Sequence, residues 1–192
     1  MKTTGLKKAV FLDRDGVINE NRHDYVKQWA EFKFLPGALT ALERLANTSL
    51  PIVVITNQSA VGRGILDQKV LEEIHARMTT MIRARGGRID KIVYCPHDPE
   101  TDCDCRKPKT GLLKQAAEAL NINLRGSYLV GDAVSDIQAG LAAGCQPYLV
   151  LTGRGAVAEP FVLKDYGDQC KIVPDLWAAV DSILQEVNLL EG

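Results

Sequence analysis

Short apolar runs recur along the chain at 9–12, 52–55, 89–94, 127–130 and 148–151, with a weaker sixth at 171–173. They are rich in Val, Ile and Leu and lack in–out alternation, as strands covered on both faces require. Amphipathic segments fill the gaps between them. Residues 37–47 place Leu39, Leu42 and Leu45 three apart, and 67–85 carry Val70, Leu71, Ile74, Met78, Met81 and Ile82 at helical spacing. Asp67 is the expected N-cap of the second segment and Gly86-Gly87 its stop. Residues 110–120 present Leu112, Leu113, Ala116, Ala117 and Leu120, with Thr110 placed to cap. Residues 135–143 are small and end at Gly144. Residues 174–190 open on Pro174 and bury Leu176, Trp177, Val180, Ile183, Leu184 and Val187. Strand, helix and strand at this spacing predict right-handed crossovers and an open, mainly parallel, Rossmann-like α/β sheet with helices on both faces.

The chain of 192 residues is expected to form one domain, 1–192, with no separate cap. Apolar residues at 46% and charged residues at 24% match a soluble globular protein. Twenty-three basic and 24 acidic residues leave a formal charge of −1, which argues against nucleic-acid or anionic-membrane partners. After Lys7 and Lys8 only four consecutive apolar residues, Ala9 to Leu12, precede Asp13, too few for a secretory or membrane-spanning segment, so a cytoplasmic protein is expected; a monomer is expected as well. Two long segments, 19–36 and 95–109, carry no periodic pattern, and loops of that length are usually functional.

Ligands of open parallel sheets sit beyond the carboxyl ends of the strands, so the residues following each strand matter most. The first run ends Asp13-Arg14-Asp15-Gly16; residues two apart on an extended chain share a face, so both carboxylates can meet one pocket. The second ends Thr56-Asn57-Gln58-Ser59, and the fourth ends Gly131-Asp132 with Asp136 four residues on. So many acids at one edge cannot all stay ionised without a cation, and a hard divalent ion such as Mg2+ with oxygen ligands meets the need. Asp13, Asp15, Thr56, Lys107 and Asp132 then supply the nucleophile, proton shuttle, hydroxyl, cation and metal anchor that phosphoryl transfer to a carboxylate requires. Cys95, His97, Cys103 and Cys105 place four zinc-type ligands within eleven residues of the 95–109 loop. These residues make either a closed tetrahedral Zn2+ site or a set of reduced thiols beside a histidine.

Asp13-x-Asp15-Gly16, Thr56, Lys107 and Gly131-Asp132-x3-Asp136 resemble, in order and over about 125 residues, the four motifs of the haloacid-dehalogenase-like phosphatases. The resemblance implies that Asp13 attacks phosphorus and that Asp15 protonates the leaving group and then activates water. It also implies that Thr56 and Lys107 hold the phosphoryl oxygens. Asp13, the Asp15 carbonyl and Asp132 would bind Mg2+, with Asp136 behind them. Tyr94-Cys-Pro-His97 and Cys103-Asp-Cys-Arg-Lys-Pro108 resemble the zinc-containing branch of heptose-bisphosphate and histidinol-phosphate phosphatases, which implies structural zinc on Cys95, His97, Cys103 and Cys105.

The stretch Asn57-Gln58-Ser59-x3-Arg63-Gly64 is similar to the heptose enzymes, as is Asp24-Tyr25-Val26 with Asp24 in place of a glycine. The short spacing between His97 and Cys103 is closer to the histidinol type. The resemblance implies hydrolysis of the 7-phosphate of a heptose 1,7-bisphosphate in nucleotide-activated heptose biosynthesis. Histidinol phosphate is the alternative substrate, and a phospho-accepting receiver module the alternative class. Arg14, His23, Tyr25, Asn57, Gln58, Ser59 and Arg106 are expected to contact the small phosphorylated sugar, with Arg106 on its second phosphate or hydroxyls. Arg63 is expected to be solvated, His75 to lie on a helix surface, and Cys145 and Cys170 to be packed thiols.

Overall fold

A computed structural model describes residues 6–191, with side chains to residue 187. Six strands form one sheet in the order β3-β2-β1-β4-β5-β6. They are β1 (Val10–Leu12), β2 (Ile52–Asn57), β3 (Lys91–Cys95), β4 (Tyr128–Gly131), β5 (Gln146–Val150) and β6 (Lys171–Val173). Every neighbouring pair is parallel, and β1 sits at the centre with Phe11 level with Val53 on one side and Leu129 on the other. Among the described residues seven α-helices accompany it: α1 (Ala38–Ala46), α2 (Ser59–Gly62), α3 (Gln68–Ala84), α4 (Gly111–Leu120), α5 (Val134–Ala143), α6 (Gly155–Tyr166) and α7 (Leu176–Glu191).

The period of two along each strand divides the core. Val10, Leu12, Ile52, Val54, Val130 and Tyr148 pack on one face with Leu42 and Leu45 of α1, Ile74 and Met78 of α3, and Val180 and Ile183 of α7. Phe11, Val53, Ile55 and Leu129 face the other way, against Leu112, Leu113 and Ala116 of α4 and Ala139 of α5. The central strands β1, β2 and β4 are therefore apolar on both faces over most of their length, because both faces meet helices. The connection from β1 to β2 uses α1, and that from β2 to Lys107 uses α2, α3 and β3, so among the described residues neither holds a folded cap. Among the described residues no helix is long and apolar enough to cross a membrane.

The expected elements are present with small shifts. Asp67 caps α3 by accepting from the Lys69 N–H (2.7 Å). Thr110 makes no capping bond; instead the Gly111 N–H donates to the Asp104 carbonyl, tying the start of α4 to the cysteine loop. The last helix begins two residues after Pro174, with Asp175 Oδ1 accepting from the Ala178 N–H. Two apolar residues expected inside are 40% exposed or more. Met81 is one, and Trp177 is the other, stacked instead beneath the Arg44 guanidinium at 4.3 Å. Helix α6 was not anticipated, because Pro160 within it reads as a breaker and its Val157 and Phe161 remain exposed. A single turn of helix, α2, follows β2 directly, with Gln58 at its N-cap position.

Candidate active site

The carboxyl ends of β1, β2 and β4 deliver Asp13 and Asp15, Thr56 to Ser59, and Asp132 to a common cavity of about 350 Å³. Lys107 enters from the loop between β3 and α4. Its buried Nζ lies 2.9 Å from Asp13 Oδ1, 2.7 Å from Asp136 Oδ1 and 3.0 Å from the Ile55 carbonyl. Burial would depress the lysine pKa, but the Asp13 and Asp136 charges outweigh it and hold Lys107 firmly protonated.

Carboxylate oxygens of Asp13, Asp132 and Asp136 lie within 4.8 Å of one another, all buried. Burial, with the Asp136 and Asp15 charges, pushes the Asp13 carboxyl up to about 6 against the pull of Lys107. Burial and the charges of Asp13 and Asp136 push Asp132 up to about 8. Asp132 Oδ2 accepts from the Arg154 N–H (2.8 Å), and Asp136 Oδ2 accepts from the Ala133 N–H (3.1 Å). Both oxygens of Asp136 are thus engaged, whereas Asp132 keeps one for another ligand. Gly16 makes room: its φ is +87°, and a Cβ there would sit 2.0 Å from Asp132 Oδ2.

Asp15 has a different environment. Arg14, 1% exposed, donates through Nε and Nη2 to its two oxygens at 3.1 and 3.0 Å. Asn19 Nδ2 (2.9 Å) and Gln58 Nε2 (2.8 Å) complete the cradle. Burial would raise the Asp15 pKa, but the Arg14 charge and these donors outweigh it and hold the carboxyl below the ordinary range. Asp15 is therefore charge-balanced, while Asp13, Asp132 and Asp136 share Lys107 alone. A dication fits the remaining deficit.

Several residues expected to touch substrate instead support these groups. Asn57 clamps the Lys107 backbone from both sides: its Oδ1 accepts the Lys107 N–H (3.1 Å) and its Nδ2 donates to the carbonyl (3.2 Å). Gln58 donates to Thr56 Oγ1 (2.9 Å) as well as to Asp15, which leaves the buried Thr56 hydroxyl proton free for an anion. The Arg14 guanidinium turns inward, to Asp15, Gln58 and His75, and is not free for substrate. His23 is exposed and absent from the cavity lining. Tyr25 does line it, with its hydroxyl 3.4 Å from Ser59 Oγ and 3.2 Å from Arg63 Nη1, and Arg63 in turn binds Asp98 (2.9 Å). Arg63 is thus tied to the rim of the mouth.

Arg106 lines the cavity with a buried Nη1 that has no partner. Asn21, Arg22 and Arg154 also line it, though no motif in the sequence singled them out. His75 corrects another expectation: it is 6% exposed, and its Nε2 lies 3.0 Å from Arg14 Nη1. Burial, reinforced by the Arg14 charge, lowers its pKa to about 3.

The cysteine loop closes into a cluster. Cys95 Sγ lies 3.6 Å from Cys103 Sγ and 3.5 Å from His97 Nδ1, which is 3.2 Å from Cys105 Sγ. Sulfurs around a tetrahedral zinc with ~2.3 Å bonds stand ~3.8 Å apart, so the cluster has the size of a zinc site and not of a disulfide. Gly62 lets the loop seat on α2, since a Cβ would lie 2.5 Å from the Asp98 nitrogen. Cys145 and Cys170 are buried, as expected of packed thiols.

Residues 104–179 match the HAD-hydrolase-like family. The chain is 41% identical over 179 residues to the D-glycero-beta-D-manno-heptose-1,7-bisphosphate 7-phosphatase of Pseudomonas aeruginosa, covering 93% of this chain and 99% of that one. The chain belongs to the haloacid-dehalogenase-like hydrolases, among the heptose-bisphosphate phosphatases. The enzyme of the same name from Bordetella bronchiseptica is 38% identical over the same shares of both chains. A crystal structure of the B. bronchiseptica D,D-heptose 1,7-bisphosphate phosphatase with magnesium and phosphate is similar at a TM-score of 0.87, at 38% identity over 93% of this chain and 99% of that one. The corresponding Burkholderia thailandensis structure has a TM-score of 0.71 at 36% identity and the same coverage.

The raised carboxyls make metal binding compete with protons. Asp13 loses its proton around pH 6 and Asp132 around pH 8, so from pH 6 to 8 Mg2+ affinity should rise by about tenfold per pH unit, the slope of the one proton still displaced from Asp132. Titration calorimetry in buffers of different ionisation enthalpy should show proton release in that window; an affinity flat with pH would contradict the crowding. For the cysteine cluster, Cys103→Ser should lower zinc content, measured by elemental analysis, and activity together. Full activity in zinc-free protein would refute an organising metal there.

Proposed function

We propose that this chain hydrolyses the 7-phosphate of D-glycero-β-D-manno-heptose 1,7-bisphosphate through a phosphoaspartyl enzyme. The observation that carries the reading is the pairing of two unlike carboxylates at one strand end. Asp13 faces a cation and an ion-binding cluster, whereas Asp15 is held by neutral and cationic donors. The 93% coverage by relatives of that name supports the substrate and its β anomer.

In this reading Asp13 attacks phosphorus in line with the departing sugar oxygen, and Asp15 hands that oxygen a proton. A water then attacks the phosphoaspartate while Asp15 takes its proton back, releasing inorganic phosphate. Proton transfer of this kind contributes about 10²–10⁴-fold, and matters because an alkoxide is a poor leaving group. The Lys107 ammonium and the Thr56 hydroxyl receive the phosphoryl oxygens, whose charge grows less localised as transfer proceeds. Asp13, Asp132 and the Asp15 carbonyl are the residues that would hold Mg2+, with Asp136 bracing Lys107 behind them. When bound, the ion neutralises the phosphoryl group and the crowded carboxylates. Cys95, His97, Cys103 and Cys105 would hold Zn2+ as a closed structural site, two residues from Lys107.

Arg106 is the group for the distal phosphate, because its unpaired buried Nη1 needs an acceptor and the cavity provides the place for one. Arg22 and Arg154 add positive charge along the same lining. The chain acts as a cytoplasmic monomer in this reading. The histidinol-phosphate alternative lacks such support from the relatives. A receiver module is disfavoured because its accepting aspartate normally follows the third strand, whereas Asp13 follows the first.

With Mg2+ present, phosphate release from the β-heptose bisphosphate should exceed that from the α anomer and from histidinol phosphate. Asp13→Asn should abolish it with the circular dichroism spectrum unchanged. Faster turnover of histidinol phosphate, or appreciable activity in Asp13→Asn, would overturn the reading.

A further inference from the structure

Arg14 is a fully buried cation whose guanidinium has more donors than Asp15 can use. Nε and Nη2 form a fork on the two Asp15 oxygens, Nη2 also reaches Gln58 Oε1 (3.2 Å), and Nη1 points away toward α3. The group it meets there is His75 Nε2, at 3.0 Å. A guanidinium has no lone pair, so in this contact the imidazole must accept, which places its proton on Nδ1 and leaves the ring uncharged. The ring is 6% exposed and rests edge-on against Tyr94, with centroids 5.6 Å apart. It has little freedom to turn away.

We infer that His75 is a positioning residue: by accepting from Arg14 Nη1 it fixes the plane of the guanidinium, and through it the orientation of the Asp15 carboxyl. The inference rests on the reading of Asp15 as the proton donor to the leaving sugar oxygen. A neutral acceptor suits the place. A carboxylate at residue 75 would compete with Asp15 for the Arg14 charge, and an apolar side chain would leave a buried N–H unpaired and the fork free to swing. Misplacing a catalytic group by even an ångström is costly, because proton transfer needs hydrogen-bond reach of the reacting oxygen.

The role predicts a dependence on the leaving group. An alkoxide needs the Asp15 proton, whereas p-nitrophenolate leaves without one. In both cases kcat/KM reports only steps up to transfer of phosphorus to Asp13. His75→Leu should therefore lower kcat/KM for the heptose bisphosphate about 10–100-fold, a partial loss of the 10²–10⁴-fold that general acids contribute, while that for p-nitrophenyl phosphate changes less than about threefold. His75→Gln, whose amide oxygen can accept from Arg14, should recover most of the loss. Equal losses on both esters in His75→Leu, no loss on either, or a glutamine variant no better than leucine would each overturn the inference. The aryl ester also reports whether His75→Leu is folded; if that variant does not fold, the glutamine variant decides alone, and a selective loss on the sugar ester as large as 10-fold counts against an acceptor role. Should the wild-type protein spare the bisphosphate, the substrate reading fails by itself, and the leaving-group contrast is run with whichever alkyl phosphate it does hydrolyse.

Discussion

Three buried carboxylates from two different strand ends share one ammonium group, and most of the local architecture follows from that crowding. Asp13, Asp132 and Asp136 lie close enough that burial and mutual repulsion lift Asp13 to about 6 and Asp132 to about 8. Lys107 offsets part of the charge and must be placed with care to do so. Its backbone is clamped by Asn57, its Nζ is aimed by Asp136 and the Ile55 carbonyl, and its loop closes on the cysteine cluster. What remains uncompensated is the charge of a divalent ion. An arrangement so unfavourable on its own is stable only on a scaffold that cannot relax, and the apolar, doubly covered β1, β2 and β4 provide one.

The residues around Asp13 and Asp15 sort by what they hold. Arg14, Asn19, Gln58 and, through Arg14, His75 surround Asp15; Lys107 and the ion cluster surround Asp13. Two chemically identical side chains, one residue apart from a common neighbour, are thereby driven to opposite ends of the carboxylate range. The low value holds Asp15 ionised in the resting site, the form that takes a proton from water in the second half-reaction, and it must gain a proton before it can serve the leaving oxygen in the first. Beyond this support, the cavity is lined by Tyr25 and Arg63, whose side chains meet each other, and by Arg106, Arg22 and Arg154.

Much of this was legible in the sequence, for reasons that also explain what was not. The central strands read clearly because helices on both faces make consecutive positions apolar, as Val53 and Val54 illustrate by facing opposite cores. Asp13, Asp15, Thr56, Asp132 and Asp136 were found because parallel strands put whatever follows them at one edge. Roles were harder than places. Asn57 and Gln58 look like substrate ligands in a linear reading, and only their partners across 50 and 43 residues of chain show what they hold. His75 sits at an unremarkable helical spacing, and nothing short of the fold places Arg14 behind it. Helix α6 was hidden by Pro160, and Arg154 at its start with it, because a local breaker signal outweighed packing against β5 and α5 that no local signal reveals.

The central claim is that Asp13, and not Asp15, becomes covalently attached to phosphorus. Acid quenching during turnover, reduction with borohydride and peptide mapping test it directly, since reduction converts an aspartyl phosphate to homoserine and leaves a free carboxylate untouched. Homoserine at residue 13 alone is the predicted result. Homoserine at residue 15, or at neither position when a burst of the dephosphorylated sugar shows that an intermediate has accumulated, would contradict the account.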